Sequence, residues 1–324
     1  MDRVTVTGAS GFIGVRLCER LAKAQFSVTA ATRDTRSVAG RGSRVVAVGE
    51  ISATTRWTEA LEGSNAVIHL AAIAHQGDST NPNIRSEFWR INVDGTRALL
   101  SDAVKTGIKR IVFVSSIKAI GERSPLAEDG SPVAISSDSL TRPEGSYGES
   151  KLAAERLLKE GCNATGISLI ILRPPLVYGP GVRGNLATLL NAILRGLPLP
   201  FGSIKNQRSL IHREHLIDAL MLALTTKLTG THIFTLGDCV LSTPDLVRFM
   251  AAGLGRSARL LPCPVSVLRV LGTLIRSSAA VSRLTESLVV DSEMITRELG
   301  WRPRIDLTSA WAEIGEQYRR SGLR

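Results

Sequence analysis

The stretch Val4-Thr-Val-Thr-Gly-Ala-Ser-Gly-Phe-Ile-Gly14 decides the fold of this 324-residue chain. Its β-branched start predicts a buried strand, because such side chains favour extended backbone. Three glycines follow at a spacing of three, Gly8, Gly11 and Gly14, and an apolar helical stripe begins beside them. A strand, a glycine turn and a helix N-terminus can hold a pyrophosphate through free N–H groups and the helix dipole. The stretch predicts a dinucleotide site, although this glycine spacing also fits an ordinary tight turn.

The composition describes a globular protein with one large core, or one core and a smaller lobe. Hydrophobic residues make up 44% of the chain and charged residues 21%. The four cysteines form no C-x-x-C pair, so we expect no metal site and no disulfide framework. We expect Cys18 to take part in the packing of the first helix. The first strand leaves no room for a signal peptide, and the apolar runs are too short to span a bilayer. We therefore expect a cytoplasmic protein.

The net charge of +11 fits three kinds of partner: nucleic acid, an anionic membrane surface or an anionic small substrate. The chain has no run of five basic residues and only 4% aromatic residues, which argues against a nucleic-acid platform. A basic host proteome would explain the charge equally simply. Among specific partners, a polyanionic substrate fits best.

The end of the second predicted strand, Ser27–Thr32, indicates the cofactor. Sites for NAD place Asp or Glu there to hold the ribose 2′-hydroxyl, whereas sites for NADP place Arg nearby for the 2′-phosphate. Here Arg33 follows the strand directly, and the carboxylate is missing from its expected position. This favours NADP(H). NAD(H) remains possible if Arg33 is a solvated loop residue and Asp34 holds the ribose.

Predicted strands and helices alternate along the first half of the chain, which indicates a parallel, doubly wound sheet. The later strands are predicted at 45–48, 66–72 and 110–116, and the helices at 54–61 and 88–104. Glu50 follows the third strand, where its carboxylate could hydrogen-bond the adenine amino group. Residues 121–145 are rich in Pro, Ser, Gly and acidic groups and are predicted to form a loop over the active cleft.

Tyr147 and Lys151 are one helical turn apart and project from the same face of a predicted helix. A nearby ammonium favours the phenolate, so we expect Lys151 to lower the pKa of Tyr147. A tuned tyrosine can exchange a proton with a sugar or alcohol oxygen while hydride moves to or from its carbon. Ser116, at the end of the fifth predicted strand, could give that oxygen a second hydrogen bond.

Taken together, these motifs resemble the extended short-chain dehydrogenases/reductases, which include nucleotide-sugar epimerases, dehydratases and 4-keto-reductases. The motifs that carry the resemblance are Gly8-x-x-Gly11-x-x-Gly14, His69-Leu-Ala-Ala72, Asn92-Val-Asp-Gly-Thr96, Ser115-Ser116, Tyr147-x-x-x-Lys151, Arg173-Pro-Pro-Leu-Val-Tyr-Gly-Pro-Gly181 and the segment 291–303. The resemblance implies a Rossmann-type doubly wound sheet in 1–175, to which about 205–240 return. It implies a smaller α/β substrate lobe in 176–324.

The same resemblance assigns the site residues. Tyr147 is expected to be the acid/base, Lys151 its partner and a ligand of the nicotinamide ribose, and Ser116 the group that polarises the substrate oxygen. Asn92 is expected to hold helix geometry near the site, or to be an ordinary structural amide. The residues expected to bind cofactor are Gly8, Ser10, Gly11, Phe12, Ile13, Gly14, Arg33, Glu50, Ile51, Leu70, Ala71, Ala72, Asn92, Ser115, Tyr147, Lys151, Pro174 and Leu176.

The substrate residues are expected in and before the C-terminal lobe. The segment Asn206-Gln-Arg-Ser-Leu-Ile-His212 resembles the family segment whose arginine meets the nucleotide diphosphate, so Arg208 is the main candidate. The full set of expected substrate residues is Ser116, Lys118, Asn185, Arg208 and Arg283. Of these, Lys118 and Arg283 are also consistent with surface charges.

The partners are expected to follow from this family. They are a UDP-sugar substrate and a second copy of the chain in a homodimer, without nucleic acid and without stable membrane insertion. The apolar segment 265–284 contains interspersed arginines, and packing in the lobe is expected there rather than membrane contact.

The expected reaction is stereospecific reduction of a UDP-4-keto-6-deoxy-N-acetylhexosamine for bacterial surface polysaccharide synthesis. Ser-Ser-Ile-Lys at 115–118, with the Arg-Pro-Pro motif, resembles a subgroup implicated in that reduction. Ile117 and Lys118 replace the carboxylate that a 4,6-dehydratase would need after its Ser or Thr. The main alternative is a UDP-glucose or UDP-N-acetylglucosamine 4-epimerase. A reductase of small carbonyls and a non-catalytic dinucleotide sensor or scaffold are further alternatives.

Overall fold

A computed structural model gives the structure of residues 2–35, 43–74, 82–274 and 278–320. Its main sheet has seven strands in the order β3-β2-β1-β4-β5-β6-β9, and all neighbouring strands are parallel. The strands are β1 Arg3–Thr7, β2 Ser27–Thr32, β3 Arg44–Ala47, β4 Ala66–His69, β5 Arg110–Val114, β6 Ser168–Arg173 and β9 Thr231–Thr235. This confirms the predicted doubly wound sheet.

Helices cover both faces of this sheet. The α-helices are α1 Gly14–Lys23, α2 Thr58–Leu61, α3 Pro82–Phe88, α4 Gly95–Lys105, α5 Gly145–Thr165, α6 Asn185–Leu194, α7 Arg213–Thr225, α8 Thr243–Gly253, α9 Val265–Leu274, α10 Ser278–Thr285, α11 Glu293–Leu299 and α12 Leu307–Arg320. Alternate residues of β5 enter different cores, Val112 beside α1 and α7, and Ile111 beside α4 and α5. Cys18 is buried in the first of these cores, as predicted.

A small second sheet lies in the C-terminal half, in the order β10-β8-β7. Its strands are β7 Leu176–Tyr178, β8 Arg208–His212 and β10 Cys239–Leu241. Helices α6, α8 and α12 pack around it, with Tyr178 and Trp311 stacked at 5.1 Å between ring centroids. Strand β9 lies in the main sheet, whereas β8 belongs to the small one. The exact division into two domains stays a prediction.

Side-chain hydrogen bonds explain why two elements are shorter than predicted. The strand predicted at 66–72 ends at His69, because the Thr7 hydroxyl accepts the N–H groups of Leu70 and Ala71. The helix predicted from residue 54 begins only at Thr58. Before it, Thr55 Oγ1 accepts the Ser52 N–H, a local turn that competes with helix.

The predicted helix 88–104 is interrupted by a π-helical segment, Trp89–Asp94. This wider turn separates α3 from α4 and carries Asn92. Close packing accompanies it, since a Cβ on Gly95 would lie 2.2 Å from the Ile51 side chain. Such π-segments are common at functional sites.

Across the parts of the chain described above, the helices are too short or too polar to cross a bilayer.

Candidate active site

The glycine turn after β1 is held by backbone contacts that leave no room for side chains. Gly8 has a φ of +64°, and a Cβ there would lie 2.9 Å from the Ala71 nitrogen. A Cβ on Gly14 would lie 2.3 Å from the Gly8 oxygen, and the Gly11 N–H donates to that same oxygen at 2.9 Å. The turn therefore needs glycine, and α1 starts directly behind it.

A cavity of about 270 Å³ opens beside this turn, at the carboxyl ends of β1, β2 and β4. Nine of the predicted cofactor residues line it: Gly8, Ser10, Gly11, Arg33, Glu50, Ile51, Leu70, Ala71 and Ala72. Its other lining residues are Ala31, Thr32, Val48, Trp57, Ile73, Glu87, Arg90 and Ile91. Thr32 and Ile73 are next to predicted residues in the sequence. Trp57 and Glu87 lie in segments without a motif, and the sequence analysis missed both.

A buried hydrogen-bond network forms the floor beside the cavity. Thr7 Oγ1 lies 2.7 Å from His69 Nδ1, and Thr96 Oγ1 lies 3.0 Å from His69 Nε2. The Thr96 hydroxyl donates to the Asn92 carbonyl, so it accepts from His69 Nε2–H, and Thr7 donates to Nδ1. Burial lowers the pKa of His69 to about 3, which keeps the ring neutral. His69 is thus a rigid support rather than an acid/base.

The end of the cavity beside β2 and β3 is rich in arginine. Arg33 is exposed and lines the cavity. Arg90, which sequence reasoning missed, donates to Glu87 at 2.9 Å and lies 3.8 Å from Glu50. Both carboxylates that line the cavity, within the described residues, thus face the Arg90 guanidinium.

The catalytic residues predicted from the sequence come together at the start of α5. Tyr147 is half-buried there, and its hydroxyl shares a hydrogen bond with Ser116. Its ring lies 5.8 Å from that of Phe88, between centroids. Lys151 is buried and donates to the Val114 carbonyl at 2.7 Å. The hydroxyls of Ser116 and Tyr147 can therefore meet one substrate oxygen.

The expected lowering of the Tyr147 pKa is wrong for this structure. Burial raises the pKa of Tyr147 to about 12, against a smaller lowering by the Ser116 hydrogen bond. Burial also lowers the pKa of Lys151 to about 7, so its ammonium and its neutral amine are about equally populated at neutral pH. At neutral pH the tyrosine is protonated and suited to act as an acid.

Asn92 joins three segments around the site. Its Oδ1 accepts the Ile73 N–H at 2.9 Å, and its Nδ2 donates to the Ile73 carbonyl at 3.1 Å and to Ser150 Oγ at 3.0 Å. Ser150 in turn donates to the Tyr147 carbonyl at 2.8 Å. The buried amide thus ties the segment after β4 to α5, the helix that carries Tyr147.

A second buried contact, missed by sequence reasoning, holds the same helix. Arg173 at the end of β6 donates to both carboxylate oxygens of Glu155 on α5, at 3.0 and 2.6 Å. The same guanidinium donates to the Ser137 carbonyl in the segment 121–145. The Arg-Pro-Pro motif that carried the resemblance thus also anchors α5 and this segment.

The residues around the cavity fit a dinucleotide. Gly8 leaves a cradle that a Cβ would fill, and Ser115 Oγ is buried without a hydrogen-bond partner among the described residues. A bound group could supply that partner. Of the other predicted cofactor residues, Phe12 lies under the Arg213 guanidinium at 4.9 Å and Ile13 packs on the core. The Pro174 carbonyl accepts the Ile117 N–H, and Leu176 is exposed.

The predicted substrate residues are less closely assembled. Lys118 donates to Glu122 at 2.7 Å, and its carbonyl packs where a Cβ on Gly148 would stand. Arg208 donates to the Glu286 carbonyl at 3.1 Å. Its burial lowers the pKa of its guanidinium, Glu122 and Glu286 act in the opposite direction, and Arg283 adds to the lowering. Asn185 is exposed at the first turn of α6.

Comparisons with known proteins match this architecture. The family model for the NAD dependent epimerase/dehydratase family matches residues 4–237. The chain is 32% identical over 318 residues to a UDP-glucose 4-epimerase of Vibrio cholerae, covering 97% of this chain and 95% of that protein. It is 30% identical over 247 residues to the N-acetyl-alpha-D-glucosaminyl-diphospho-ditrans,octacis-undecaprenol 4-epimerase of Escherichia coli O157:H7, covering 76% and 69%.

Among solved structures, MoeE5 in complex with UDP-glucuronic acid and NAD superposes with a TM-score of 0.79 at 28% identity. The match covers 99% of this chain and 100% of that one. Because the family model covers well over half of the chain, the assignment is clear: this protein belongs to the NAD dependent epimerase/dehydratase family.

Proposed function

We propose that this protein reduces the 4-keto group of a UDP-linked 6-deoxy-N-acetylhexosamine, with NADPH as the preferred cofactor. One observation carries the choice of reduction. Arg33 lines the cavity at the end of β2, and the lining carboxylates Glu50 and Glu87 both face Arg90. This arrangement offers positive charge to a 2′-phosphate. Within the described residues, the two carboxylates that line the cavity face Arg90, which makes them less suited to hold a ribose 2′-hydroxyl. An NADP-type site suits a cofactor that exchanges in each turnover.

When bound, the cofactor supplies hydride to the sugar carbon C4. The glycine turn at 8–14 would hold its pyrophosphate, Arg33 its 2′-phosphate, and Glu50 and Ile51 its adenine. Lys151 would hold the nicotinamide ribose, for which it would have to share or release the Val114 carbonyl.

Tyr147 and Ser116 perform the proton chemistry in this proposal. Both hydroxyls hydrogen-bond the 4-keto oxygen and polarise the carbonyl. Tyr147 is protonated at neutral pH, because burial raises its pKa to about 12. It gives its proton to the oxygen as hydride reaches C4, so that one ketone, one hydride and one proton become one alcohol. The tyrosinate that remains recovers a proton before the next turnover.

Arg208 is the proposed ligand of the nucleotide diphosphate. Its guanidinium is partly buried, and within the described residues it donates to the backbone carbonyl of Glu286. Burial disfavours its charge, and a diphosphate would compensate for that cost. The relatives support a diphosphate-linked sugar, since MoeE5 was solved with UDP-glucuronic acid and with UDP-glucose.

A 4-epimerase is the second candidate function, and the relatives favour it. The Vibrio cholerae protein and the Escherichia coli protein are both named 4-epimerases, and MoeE5 was solved with NAD. The same Ser116 and Tyr147 would serve, with Tyr147 as a base in the first half of the reaction. The Escherichia coli name also extends the candidate substrates to a sugar linked to a polyprenyl diphosphate.

The deciding experiment follows NADPH and NADH absorbance after addition of UDP-4-keto-6-deoxy-N-acetylglucosamine. We expect stoichiometric oxidation, faster with NADPH. An Arg33→Ala variant should weaken NADPH binding, measured by fluorescence titration, and leave NADH binding nearly unchanged. No oxidation, together with interconversion of a UDP-hexose without added cofactor, would identify a 4-epimerase and overturn the proposal.

A further inference from the structure

Helix α9 presents an apolar stripe to solvent. Val267, Val270, Leu271 and Leu274 are 44%, 61%, 50% and 74% exposed. Their spacing of three, four and seven residues places them on one face of the helix. The opposite side packs through Leu268 and Gly272, which are buried. The expectation that this segment packs in the lobe is thus wrong for the exposed face.

The sequence around this stripe is uniformly basic. No Asp or Glu occurs between Asp245 and Glu286, whereas this stretch contains Arg248, Arg256, Arg259, Arg269, Arg276 and Arg283. Arg269 on α9 and Arg283 on α10 are exposed, and residues 275–277 lie outside the described residues. An exposed apolar stripe in a stretch that carries only positive charge is typical of helices that lie on anionic lipid surfaces.

The stripe is connected to the C-terminal lobe through α10. Helix α9 packs against α10, and the Leu284 carbonyl at the end of α10 accepts the Thr243 hydroxyl at 2.7 Å. Two residues later, the Glu286 carbonyl accepts from Arg208. Helix α9 is thus linked, through α10, to the segment that contacts Arg208.

We propose that the apolar stripe of α9 docks this protein on the surface of an anionic phospholipid bilayer. A ten-residue helix is too short to span the bilayer, so it would lie in the interface. Charge distinguishes this occupant from a second copy of the chain. A symmetric contact through the stripe would bring the same arginine-rich stretch of both copies together, whereas an anionic surface neutralises it. This inference concerns binding alone and does not depend on which reaction the protein catalyses.

The test is co-sedimentation of the full-length protein with vesicles of phosphatidylcholine, with and without about one-third phosphatidylglycerol. We expect binding to the anionic vesicles only, weakening as salt is raised. The double variant Val270→Asp/Leu274→Asp should lose at least about tenfold in partition coefficient. Arg269→Gln should lose roughly fivefold, the equivalent of about 1 kcal/mol for one arginine.

Leu126→Asp is the matched control, because Leu126 is 69% exposed but lies in the loop 121–145. It should bind like the wild type, and thermal unfolding should show all variants folded. Equal binding of the double variant and the wild type would overturn the proposal, as would equal binding to both kinds of vesicle. The proposal would also be overturned if the wild type were a dimer that does not bind vesicles and the double variant were a monomer. The stripe would then be a contact between two copies of the chain.

Discussion

The proposed catalytic centre and the proposed substrate end of the cleft are built differently. At the catalytic centre, Asn92 and Lys151 are buried and hydrogen-bonded to neighbouring segments before any ligand arrives. At the substrate end, Lys118 is held by Glu122, and Arg208 lies within reach of the charges of Glu122 and Glu286. Chemistry needs fixed geometry, whereas a bound diphosphate can reorganise charges that already compensate each other. The two regions should therefore respond differently to mutation.

Tyr147→Phe should show the largest effect. Removal of one hydroxyl leaves the ring packed beside Phe88, but no proton can reach the sugar oxygen. We expect kcat to fall by about three orders of magnitude. Cofactor affinity, measured by fluorescence titration, should stay within a factor of about two to three, which is the usual scatter of such contributions.

Tyr318→Phe is its matched control. That hydroxyl donates to the Ala187 carbonyl at 3.2 Å, far from α5 in the C-terminal lobe. The control should keep nearly full activity. If Tyr147→Phe also kept it, the proton would come from another group and the assignment would fail.

Asn92→Ala should destabilise the fold around α5. It removes three hydrogen bonds and leaves the Ile73 N–H without its side-chain acceptor. We expect the free energy of unfolding to fall by about 3 kcal/mol, measured by urea denaturation. Asn163→Ala, which removes an exposed amide bonded to Thr231, should cost less than about 1 kcal/mol. Equal losses in the two variants would mean that the buried amide of Asn92 stabilises the fold no more than an exposed amide does.

Lys151 should make stability depend on pH. Burial lowers the pKa of Lys151 from 10.5, its value in the unfolded chain, to about 7 in the folded protein. Between these two pH values the folded state therefore binds fewer protons than the unfolded state. Stability therefore rises with pH in this window. From pH 7 to pH 9 we expect the wild type to gain about 2 kcal/mol relative to Lys151→Met.

The measurement is urea denaturation of both proteins at several pH values. Lys159→Met removes an exposed lysine from the same helix, and its pH curve should parallel that of the wild type. Parallel curves for Lys151→Met and the wild type would show that Lys151 is not buried as a free amine.

The residues of the proposed catalytic centre could be chosen from the sequence because they lie in short motifs. In Tyr147-x-x-x-Lys151, the spacing of four residues places both side chains on the same face of a helix. The glycine turn marks where the first strand ends and the first helix begins. The doubly wound sheet can likewise be predicted, because segments with strand and helix periodicity alternate along the sequence. The proton affinity of Tyr147 did not follow, because it depends on burial by segments distant in sequence, including Phe88.

The substrate end and the α9 surface were less predictable for the same reason. Lys118 and Glu122 are four residues apart, yet nothing in their spacing says whether lysine will face its neighbour or the substrate. Arg90 and Glu87 are three residues apart, yet only the structure shows that both line the cavity. For α9, an apolar periodicity indicates a buried face, and only tertiary structure shows that the face is exposed.

The smallest expected effect concerns the Lys118–Glu122 ion pair. Both side chains are partly exposed, at 28% and 26%, so a double-mutant cycle of Lys118→Met and Glu122→Gln should give a coupling of about 0.5 kcal/mol in stability. If the pair persists with substrate bound, each single variant should change KM by less than about threefold.

A different result would sharpen the contrast between the two regions. Because Lys118 follows Ser116 by two residues, its ammonium could leave Glu122 for an oxygen of the sugar or the diphosphate. Lys118→Met would then raise KM by about tenfold or more, while Glu122→Gln would lower it by freeing the lysine. Opposite signs in the two variants would show that the substrate end rearranges on binding, whereas equal small changes would show that the ion pair is as fixed as the catalytic helix.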